Sequence, residues 1–479
     1  MRSNITYTLD EIAEIYDGPH ATPKKLEAGD AIFLSISSIE NGRLNLEKSS
    51  FISEDDFVKW TRRVTPQAGD VVFSYETKIG EASIIPEGLR CCLGRRMGLL
   101  RAKQDKVLPQ YLLYAYLSPA FQDVIREKTI HGSTTDRISI REMPSFEIQL
   151  PDIHTQKKVI QILSSIDNKL SKNAEINQTL EQMAQALFKS WFVDFEPVKA
   201  KIAVLEAGGS QKNATLAAMT AISGKDADSL AIFEREHPEK YAELRATAEL
   251  FPSVMQESEL GIIPEQWHVE SIKSLTLIIS KGTTPAKKDI ILDEPQVINF
   301  LKVKDISNNG EINSSGLDKV SKRVHENLLK RSILKENDIL FSIAGTIGRV
   351  SVVTADILDC NCNQAIAFVR LEQPSSHLHL VRMNLLSSRI QQEVESKLVQ
   401  GVQANLSLTS LGDLKIILPS NDILNVFNGI IAPIWEEQLS INRQSNYLSQ
   451  LRDTLLPKLL SGEITLPNAE EIAKEADYV

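Results

Sequence analysis

The sequence predicts an α+β fold: two tandem mixed α/β domains joined by two long antiparallel coiled-coil helices and related by a pseudo-two-fold axis. Two observations predict this fold. The chain contains the same pattern twice, and each copy ends in a long segment with heptad periodicity. With 479 residues, of which 42% are hydrophobic, the chain is long enough to form more than one core.

The first observation is an internal repeat. GDVVFSYETKIGEASII, which begins at Gly69, is similar to ENDILFSIAGTIGRVSVV, which begins at Glu336. The residues that recur 268 positions apart are Asp70, Phe73, Ser74, Ile79, Gly80 and Ser83 in the first copy and Asp338, Phe341, Ser342, Ile347, Gly348 and Ser351 in the second. The same offset relates Leu150-Pro151 to Leu418-Pro419. A constant offset over such a length indicates a tandem duplication.

Both copies have the same internal order. Short β-like runs broken by turn residues come first, and a short helical stretch follows. A polar loop, a strand that ends in Leu-Pro and a long helix complete each copy. The stretch AGTIG at 344–348 is rich in glycine, but its repeat partner ETKIG at 76–80 retains only the last glycine. A hairpin turn is therefore favoured at this place in both copies.

The second observation is the heptad pattern. In the first copy it runs through Val159, Leu163, Ile166, Leu170, Asn173, Asn177, Leu180, Ala184, Leu187 and Trp191. In the second copy it runs through Phe427, Ile431, Ile434, Gln438, Ile441, Ser445, Leu448, Arg452, Leu455 and Leu459. We expect the two helices to pair antiparallel, with Asn173 and Asn177 fixing the register, although each helix packed on its own domain is the alternative. Each segment would form a rod of roughly 50 Å, which suits a spacer.

These patterns divide the chain into six segments. The predicted ranges are 1–151 for the first domain, 152–195 for the first spacer helix, 196–255 for a charged insert, 256–419 for the second domain, 420–465 for the second spacer helix and 466–479 for an acidic tail. The insert is Ala-rich and reads as a mixture of linker and short helix. The aromatic stretch LFKSWFVDF at 187–195 is expected to close the first spacer helix against the second domain.

Motifs for self-contained catalysis are weak. SGKD at 223–226 lacks the first glycine and the hydroxyl residue of a nucleotide-binding loop, and the chain has no Pro-Pro pair for an amino-methyltransferase motif. Asp152, Asp167 and Lys169 loosely fit a nuclease site, but they are better explained by a helix cap and a heptad helix. Cys91-Cys92 and Cys360-Asn361-Cys362 occupy similar places in the two copies, and buried strand cysteines are favoured over a zinc site.

Polar loops offer the side chains that bind DNA. Arginine suits guanine, asparagine and glutamine suit adenine, and lysine and threonine suit phosphate. The candidates in the first copy are Lys24, Lys25, Arg62, Arg63, Arg95, Arg96, His131, Thr134 and Arg137. Those in the second copy are Lys281, Thr283, Lys287, Lys288, Arg323, Gln364, Gln400, Gln403 and Asn405. Each pair alone also fits a solvated turn.

Charge and hydropathy set further bounds. The net charge is −10, which argues against indiscriminate binding of nucleic acid, whereas residues 1–150 are near neutral with 19 basic and 21 acidic residues. Four cysteines in so long a chain are expected to be reduced. No long apolar run or signal peptide is visible, so we expect a soluble cytoplasmic protein without membrane contact.

The layout resembles the specificity subunit of type I restriction–modification enzymes. The resemblance is carried by the central stretch from IHTQKKVIQ to WFVDFEPVKAK, by SELGIIPEQW at 258–267, by ILFSIAGTIGRVSVV and by the terminal LRDTLLPKLLSGEI. It extends over almost the whole chain. The insert at 196–255 departs from it, because nothing equivalent follows the second copy.

The resemblance implies a non-catalytic subunit that binds double-stranded DNA. Each domain would read one half of a bipartite, asymmetric site, while the paired helices set the gap and dock two methyltransferase subunits. Restriction subunits would join that core. No catalytic residue, metal site or cofactor is then expected in this chain, whereas S-adenosylmethionine, ATP and Mg²⁺ are expected in the partners. The docking and spacer residues would be Leu163, Ile166, Leu170, Asn173, Asn177, Leu180, Leu187, Trp191, Ile434, Ile441, Leu448, Leu455 and Leu459.

Two other classes of function remain open on the sequence. One is a self-contained nuclease or methyltransferase, against which the missing motifs argue. The other is an adaptor whose end domains bind proteins. Steep salt dependence of DNA binding would separate the adaptor from a DNA reader, because phosphate contacts release counterions.

Overall fold

The computed structural model describes residues 4–40, 42–132, 135–286, 289, 294–312, 314, 316–398 and 404–464. The chain forms two compact units. One unit combines Met1–Glu175 with Ile441–Val479, and the other is Ile176–Ser440. Both boundaries fall inside the long helices, so each unit contains one domain together with segments of both helices.

The first domain is built from short strands and helices. Their bounds are β1 Ile5–Thr8, α1 Leu9–Ile12, β2 Ala13–Asp17, β3 Ala31–Leu34, β4 Ile39–Glu40, β5 Arg43–Leu44, β6 Ser50–Ile52, α2 Glu54–Trp60, β7 Val71–Ser74, β8 Ala82–Ile84, β9 Cys91–Leu93, β10 Met97–Ala102, α3 Pro109–Leu117, α4 Pro119–Glu127, β11 Thr129–Ile130, β12 Arg137–Ile138 and β13 Glu147–Leu150. The main sheet has the order β2-β10-β7-β8, and a second sheet has the order β6-β3-β9.

The first long helix, α5, spans Ile153–Phe192. It starts where the sequence places a cap: the backbone N–H of Thr155 donates to Asp152 Oδ1 at 2.9 Å, directly after Pro151. It ends at the aromatic stretch, where Phe195 adopts a left-handed φ of 54°. The chain then turns into the next helix.

The insert consists of four helices, where the sequence suggested a mixture with linker. They are α6 Glu196–Glu206, α7 Gln211–Ser223, α8 Ala227–Glu236 and α9 Pro238–Leu250. Ser210 and Asp226 cap α7 and α8, and Met219 and Leu230 are buried in a small core between the helices. Lys201 is 2% exposed, and its Nζ donates to the carbonyl of Ala248 at 3.0 Å, near the end of α9.

The second domain repeats the first. Its elements are β14 Met255–Ser258, β15 Gly261–Pro264, β16 His268–Ser271, β17 Thr276–Lys281, β18 Gln296–Leu301, β19 Asp318–Ser321, β20 Ile339–Ser342, β21 Val350–Val352, β22 Cys360–Cys362, β23 Ile366–Leu371, α10 Pro374–Leu386, α11 Ser388–Ser396, α12 Leu408–Gly412 and β24 Lys415–Leu418. The sheets β17-β23-β20-β21 and β19-β18-β22 have the same order as their counterparts. Helix α13, Asn421–Ser461, follows.

The heptad positions form the packed seam. Of the twenty predicted positions, all are buried or half-buried. In the first unit Asn173 Nδ2 donates to Gln444 Oε1 at 2.9 Å and to Ser445 Oγ at 3.0 Å, while Arg452 lies 3.4 Å from Asp167. Residues that come later in α5 contact residues that come earlier in α13, so the two helices are antiparallel. This confirms the predicted fold class.

The second unit shows the same antiparallel order. There Gln438 Nε2 lies 3.4 Å from the carbonyl oxygen of Asn177, and Trp191 and Phe192 pack against Phe427 near the start of α13. Trp191 is fully buried in the core of the second unit, together with Phe251 and Trp267. The aromatic stretch therefore anchors α5 to the second domain.

The offset between the copies drifts, which the sequence comparison did not reveal. In the parallel ladders Cys91 lies opposite Ile32 and Cys360 opposite Asn299, and Leu93 corresponds to Cys362. Cys91 and Cys360 are thus equivalent at an offset of 269, whereas Cys92 and Cys362 are not equivalent to each other. All four cysteines are buried on strands, as predicted, and burial raises the pKa of Cys91 and Cys360 to about 12.

Candidate nucleic-acid interface

Four chain segments meet at one edge of the first domain. Gly18 N–H donates to Met97 O at 2.9 Å, which joins the end of β2 to β10. Tyr75 N–H donates to Arg96 O at 3.2 Å, and Ile138 N–H donates to Tyr75 O at 2.8 Å. These bonds bring the 17–20 loop, the β7–β8 turn, the 94–96 turn and the start of β12 together, although up to 120 residues separate them in the chain.

The second domain forms the same edge with the same bonds. Gly282 N–H donates to Ile366 O at 3.1 Å, Ile343 N–H to Ala365 O at 2.8 Å and Leu406 N–H to Ile343 O at 3.0 Å. Isolated bridges pair Glu76 with Arg137 in one domain and Ala344 with Asn405 in the other. We call these two sets of loops the first edge and the second edge.

The first edge contains a charged cluster around Asp17. The Tyr75 hydroxyl donates to Asp17 Oδ1 at 3.0 Å, while His20 Nε2 lies 3.0 Å and Arg63 3.7 Å from Asp17 Oδ2. Burial, followed by the charge of Asp17, raises the pKa of Tyr75 above its usual value, so this hydroxyl stays a donor. The sequence did not single out Asp17, His20 or Tyr75, because Asp17 and Tyr75 lie 58 residues apart.

Two of the arginines predicted to contact DNA are partly engaged within the first domain. Arg63 donates to Gly18 O at 3.2 Å besides its contact with Asp17. Arg96 adopts a left-handed φ of 71°, and its Nε lies 2.5 Å from Glu76 Oε2. The remaining described candidates of this domain are exposed: Lys24, Lys25, Arg62, Arg95, His131 and Arg137. His131 lies 3.1 Å from Asp136.

Where the structure describes the second edge, it carries uncharged polar groups and Lys281. Lys281, Thr283, Gln364 and Asn405 are exposed, and the Thr284 hydroxyl donates to Gln364 Oε1. Arg323 is engaged within the domain: it donates to Glu294 Oε1 at 2.7 Å and to Asp289 O at 3.0 Å, and the bond to Glu294 lowers the pKa of that carboxyl. Thr134, Lys287, Lys288, Gln400 and Gln403 lie outside the described residues.

Both edges rest on the same buried supports. Asp70 accepts two bonds from Arg101, at 2.9 and 2.7 Å, and Asp338 accepts two from Arg370, at 2.8 and 2.6 Å. These bidentate pairs fix the strands that lead into the edges. The match of Asp70 with Asp338 was visible in the sequence. The match of Arg101 with Arg370 was not visible, because these residues lie 269 positions apart and the repeat was detected at 268.

A glutamine clamp also recurs. Gln122 Nε2 donates to the carbonyls of Gly80 and Tyr116, at 3.1 and 2.8 Å. Gln391 Nε2 donates to the carbonyls of Gly348 and Leu385, at 3.1 and 2.6 Å. Each clamp ties a hairpin turn to the helices behind it, and the hairpin predicted at AGTIG is confirmed by the β20–β21 pairing.

The predicted spacer and docking residues face inward. Leu163, Ile166, Leu170, Leu448, Leu455 and Leu459 lie in the core of the first unit. Leu187, Trp191 and Ile434 contribute to the core of the second unit, Ile441 is buried, and Leu180 and Asn177 are half-buried. Trp191 and its aromatic neighbours are buried, and docking at Trp191 stays a prediction. The large apolar side chains that α5 exposes among the described residues are Ile176 and Met183.

The loose nuclease motif has structural roles. Asp152 caps α5, and Asp167 accepts a bond from the Tyr114 hydroxyl at 2.7 Å. Among the described residues no group of three or more His, Cys, Asp or Glu side chains is placed to hold a metal ion. No described helix is long and apolar enough to cross a membrane.

A family model and several known proteins are similar to this chain. A family model described as the type I restriction modification DNA specificity domain matches residues 3–182 and 264–437, which leaves α6–α9 between the two matches. The chain is 33% identical to the HindI specificity subunit of Haemophilus influenzae over 380 residues, 75% of this chain and 78% of that protein. It is 23% identical to the MjaIX specificity subunit of Methanocaldococcus jannaschii over 95% of this chain and 89% of that protein. A crystal structure of an S subunit from M. genitalium aligns with a TM-score of 0.48 and 14% identity, over 95% of this chain and 96% of that one.

Proposed function

The chain belongs to the type I restriction–modification DNA specificity subunits, and on this premise we propose that its two domains read the two halves of one bipartite, asymmetric DNA site. The observation that supports this most is the edge built twice on the same backbone with different exposed side chains. We call the backbone bonds of each edge, together with the aspartate–arginine pair and the glutamine clamp behind it, the frame. Two equal frames suit two similar docking events on DNA, and different side chains suit two different base sequences.

The paired helices set the gap between the half-sites in this proposal. Packed seams support such a role, since Asn173 bonds to α13 within the first unit and Gln438 bonds to α5 within the second. Insertion of one heptad at 170–180, matched at 438–448, is expected to lengthen the gap and leave both half-sites unchanged. Changed half-sites with an unchanged gap would contradict this role.

We assign docking of two methyltransferase subunits to the exposed faces of the long helices. Ile176 and Met183 are 45% and 54% exposed and lie seven residues apart, on one face of α5. Charged substitutions at both positions, Ile176→Asp with Met183→Asp, are expected to reduce assembly. The same change at Ile232, which is 46% exposed on α8, is the matched control.

Catalysis belongs to the partners in this proposal. Methylation with S-adenosylmethionine, and cleavage with ATP and Mg²⁺, are assigned to methyltransferase and restriction subunits. The carboxylates nearest to a nuclease motif support this division, because Asp152 and Asp167 are engaged in helix capping and helix packing.

Selection from random double-stranded DNA tests the proposal directly. The assembled complex of this chain with its methyltransferase partner is expected to enrich one two-part motif, with a fixed gap and two different halves. Its affinity for that motif should fall steeply with salt. Enrichment of no motif by an assembled complex would favour the protein-binding adaptor instead.

A further inference from the structure

Internal comparison of the two edges separates the side chains that hold the frame from those that do not. Positions are equivalent where the bonds are the same, so Arg137 corresponds to Asn405 and Arg95 to Gln364. The first pair is fixed by the Glu76 and Ala344 bridges. The second pair precedes Arg96 and Ala365, whose carbonyls accept from Tyr75 and Ile343.

The supports behind the edges are chemically the same in both domains. Asp70 and Asp338 are 3% and 1% exposed and bind equivalent arginines. Gln122 and Gln391 clamp equivalent glycines. These groups maintain the frame and carry no difference between the domains.

Two exposed positions differ in the same way. Arg95 and Arg137 of the first edge are replaced by Gln364 and Asn405 on the second, and all four side chains are exposed. A guanidinium donates two parallel bonds, which matches O6 and N7 of guanine. A carboxamide donates one bond and accepts one, which matches N7 and N6 of adenine.

Glu76 and Arg96 form a different kind of replacement. They pair with each other at 2.5 Å in the first domain, whereas Ala344 and Ala365 stand at both equivalent positions. An ion pair that is lost as a unit is a local packing feature. Glu76 and Arg96 are therefore not assigned to a base.

We propose that Arg95 and Arg137 select guanine in the first half-site and that Gln364 and Asn405 select adenine in the second. This assignment rests on the proposed function. It adds that Arg137 and Asn405 read corresponding base positions of the two half-sites, since they occupy one place on the shared frame.

Exchange of the equivalent side chains tests the assignment. Arg137→Asn and Asn405→Arg are made separately, and each assembled complex is used to select from random double-stranded DNA. Arg137→Asn is expected to change the preference at one position of the first half-site from guanine to adenine, by on the order of tenfold. Asn405→Arg is expected to make the opposite change at the corresponding position of the second half-site.

The controls keep the outcomes distinct. Arg126→Asn, the same change at an arginine that is 74% exposed on α4, should leave the motif unchanged. Arg95→Gln with Gln364→Arg provides a second exchange if a variant of the first does not assemble. A change or loss of preference confined to the expected position supports the assignment. An unchanged motif, or a change in the other half-site, overturns it. If the natural chain selects no motif at all, the proposed function fails instead.

Discussion

At the first edge, Asp17 and Glu76 hold cationic side chains in place, and Tyr75 donates to Asp17. The equivalent positions of the second edge are Lys281, Ile343 and Ala344. The backbone bonds beneath these residues are the same in both domains. The charge at the surface can therefore be reversed without a change in the backbone bonds of the frame. This is so because the stability of the frame comes from buried pairs and clamps behind the edge.

The two junctions between domain and long helices differ in a similar way. In the first unit Asp167 of α5 accepts from Tyr114 and lies 3.4 Å from Arg452. In the second unit Trp435 of α13 occupies the position equivalent to Asp167. The guanidinium of Arg382 lies 4.3 Å from the centre of the Trp435 ring and 3.3 Å from the carboxylate of Glu181. One junction has an arginine supplied by the long helix, and the other has an arginine supplied by the domain.

Removal of the buried aspartates should have the largest effect. Asp338→Ala leaves Arg370, which is 17% exposed, without its partner, and we expect the second unit to lose about 3–5 kcal/mol of unfolding free energy. Asp70→Ala should cost less, because Arg101 is 27% exposed and better solvated. Hydrogen exchange under increasing urea resolves the two units. Equal losses below about 1 kcal/mol would contradict the supporting role.

Acid should weaken the second unit more than the first through His379. Burial, followed by the charge of Arg382, lowers the pKa of His379 to about 4 from its usual 6.5. The unfolded chain binds this proton below pH 6.5 and the folded chain only near pH 4, so stability is complete above pH 6.5 and is lost as the pH falls to about 4. The loss is about 3 kcal/mol. The equivalent residue of α3 is Gln110.

The pH dependence is checked by unfolding each unit between pH 4.5 and 7. His379→Gln should remove most of the slope of the second unit. His377, whose pKa is also lowered by burial, provides the matched variant His377→Gln, which should remove less. The pKa of Glu181 is lowered from 4.5, because Arg382 and its amide partners outweigh burial, so its contribution is lost below this range. Equal slopes for the two units would refute the account.

The glutamine clamps should have smaller and matched effects. Gln122→Ala and Gln391→Ala each leave two carbonyls without a donor, and we expect each hairpin to lose about 1–2 kcal/mol of local stability. Hydrogen exchange at the β7–β8 and β20–β21 turns measures this loss. A loss in only one hairpin would mean that the clamps are not equivalent.

The smallest effect is expected where the first domain is made like the second. Glu76→Ala with Arg96→Ala reproduces Ala344 and Ala365, and the partly exposed pair should contribute less than about 1 kcal/mol. Thermal unfolding of the first unit is the measurement. A cost above about 2 kcal/mol would show that the first frame depends on the pair.

The duplication and the heptad seam could be predicted because their signals are local and repeated. Phe341 recurs after Phe73 at a fixed offset, and each seam residue follows the last by three or four positions. The Asp17 cluster could not be predicted, because strand pairing brings together residues that lie far apart in the chain. The arginine partners of Asp70 and Asp338 could not be predicted either, because their offset differs from that of the aspartates. The four insert helices were underestimated, since their small core has no counterpart in the other copy. Burial of Trp191 depends on Phe427 of α13 and on Phe251, which the local pattern does not identify.

The most direct test of the central claim is a single-molecule map of methylated adenines in the genome of a host that carries this chain with its methyltransferase partner. Two different domains on one frame predict a single motif with two unlike halves and a fixed gap. A palindromic motif, an undivided motif or a variable gap would contradict the account, as would no motif from an assembled complex supplied with methyl donor.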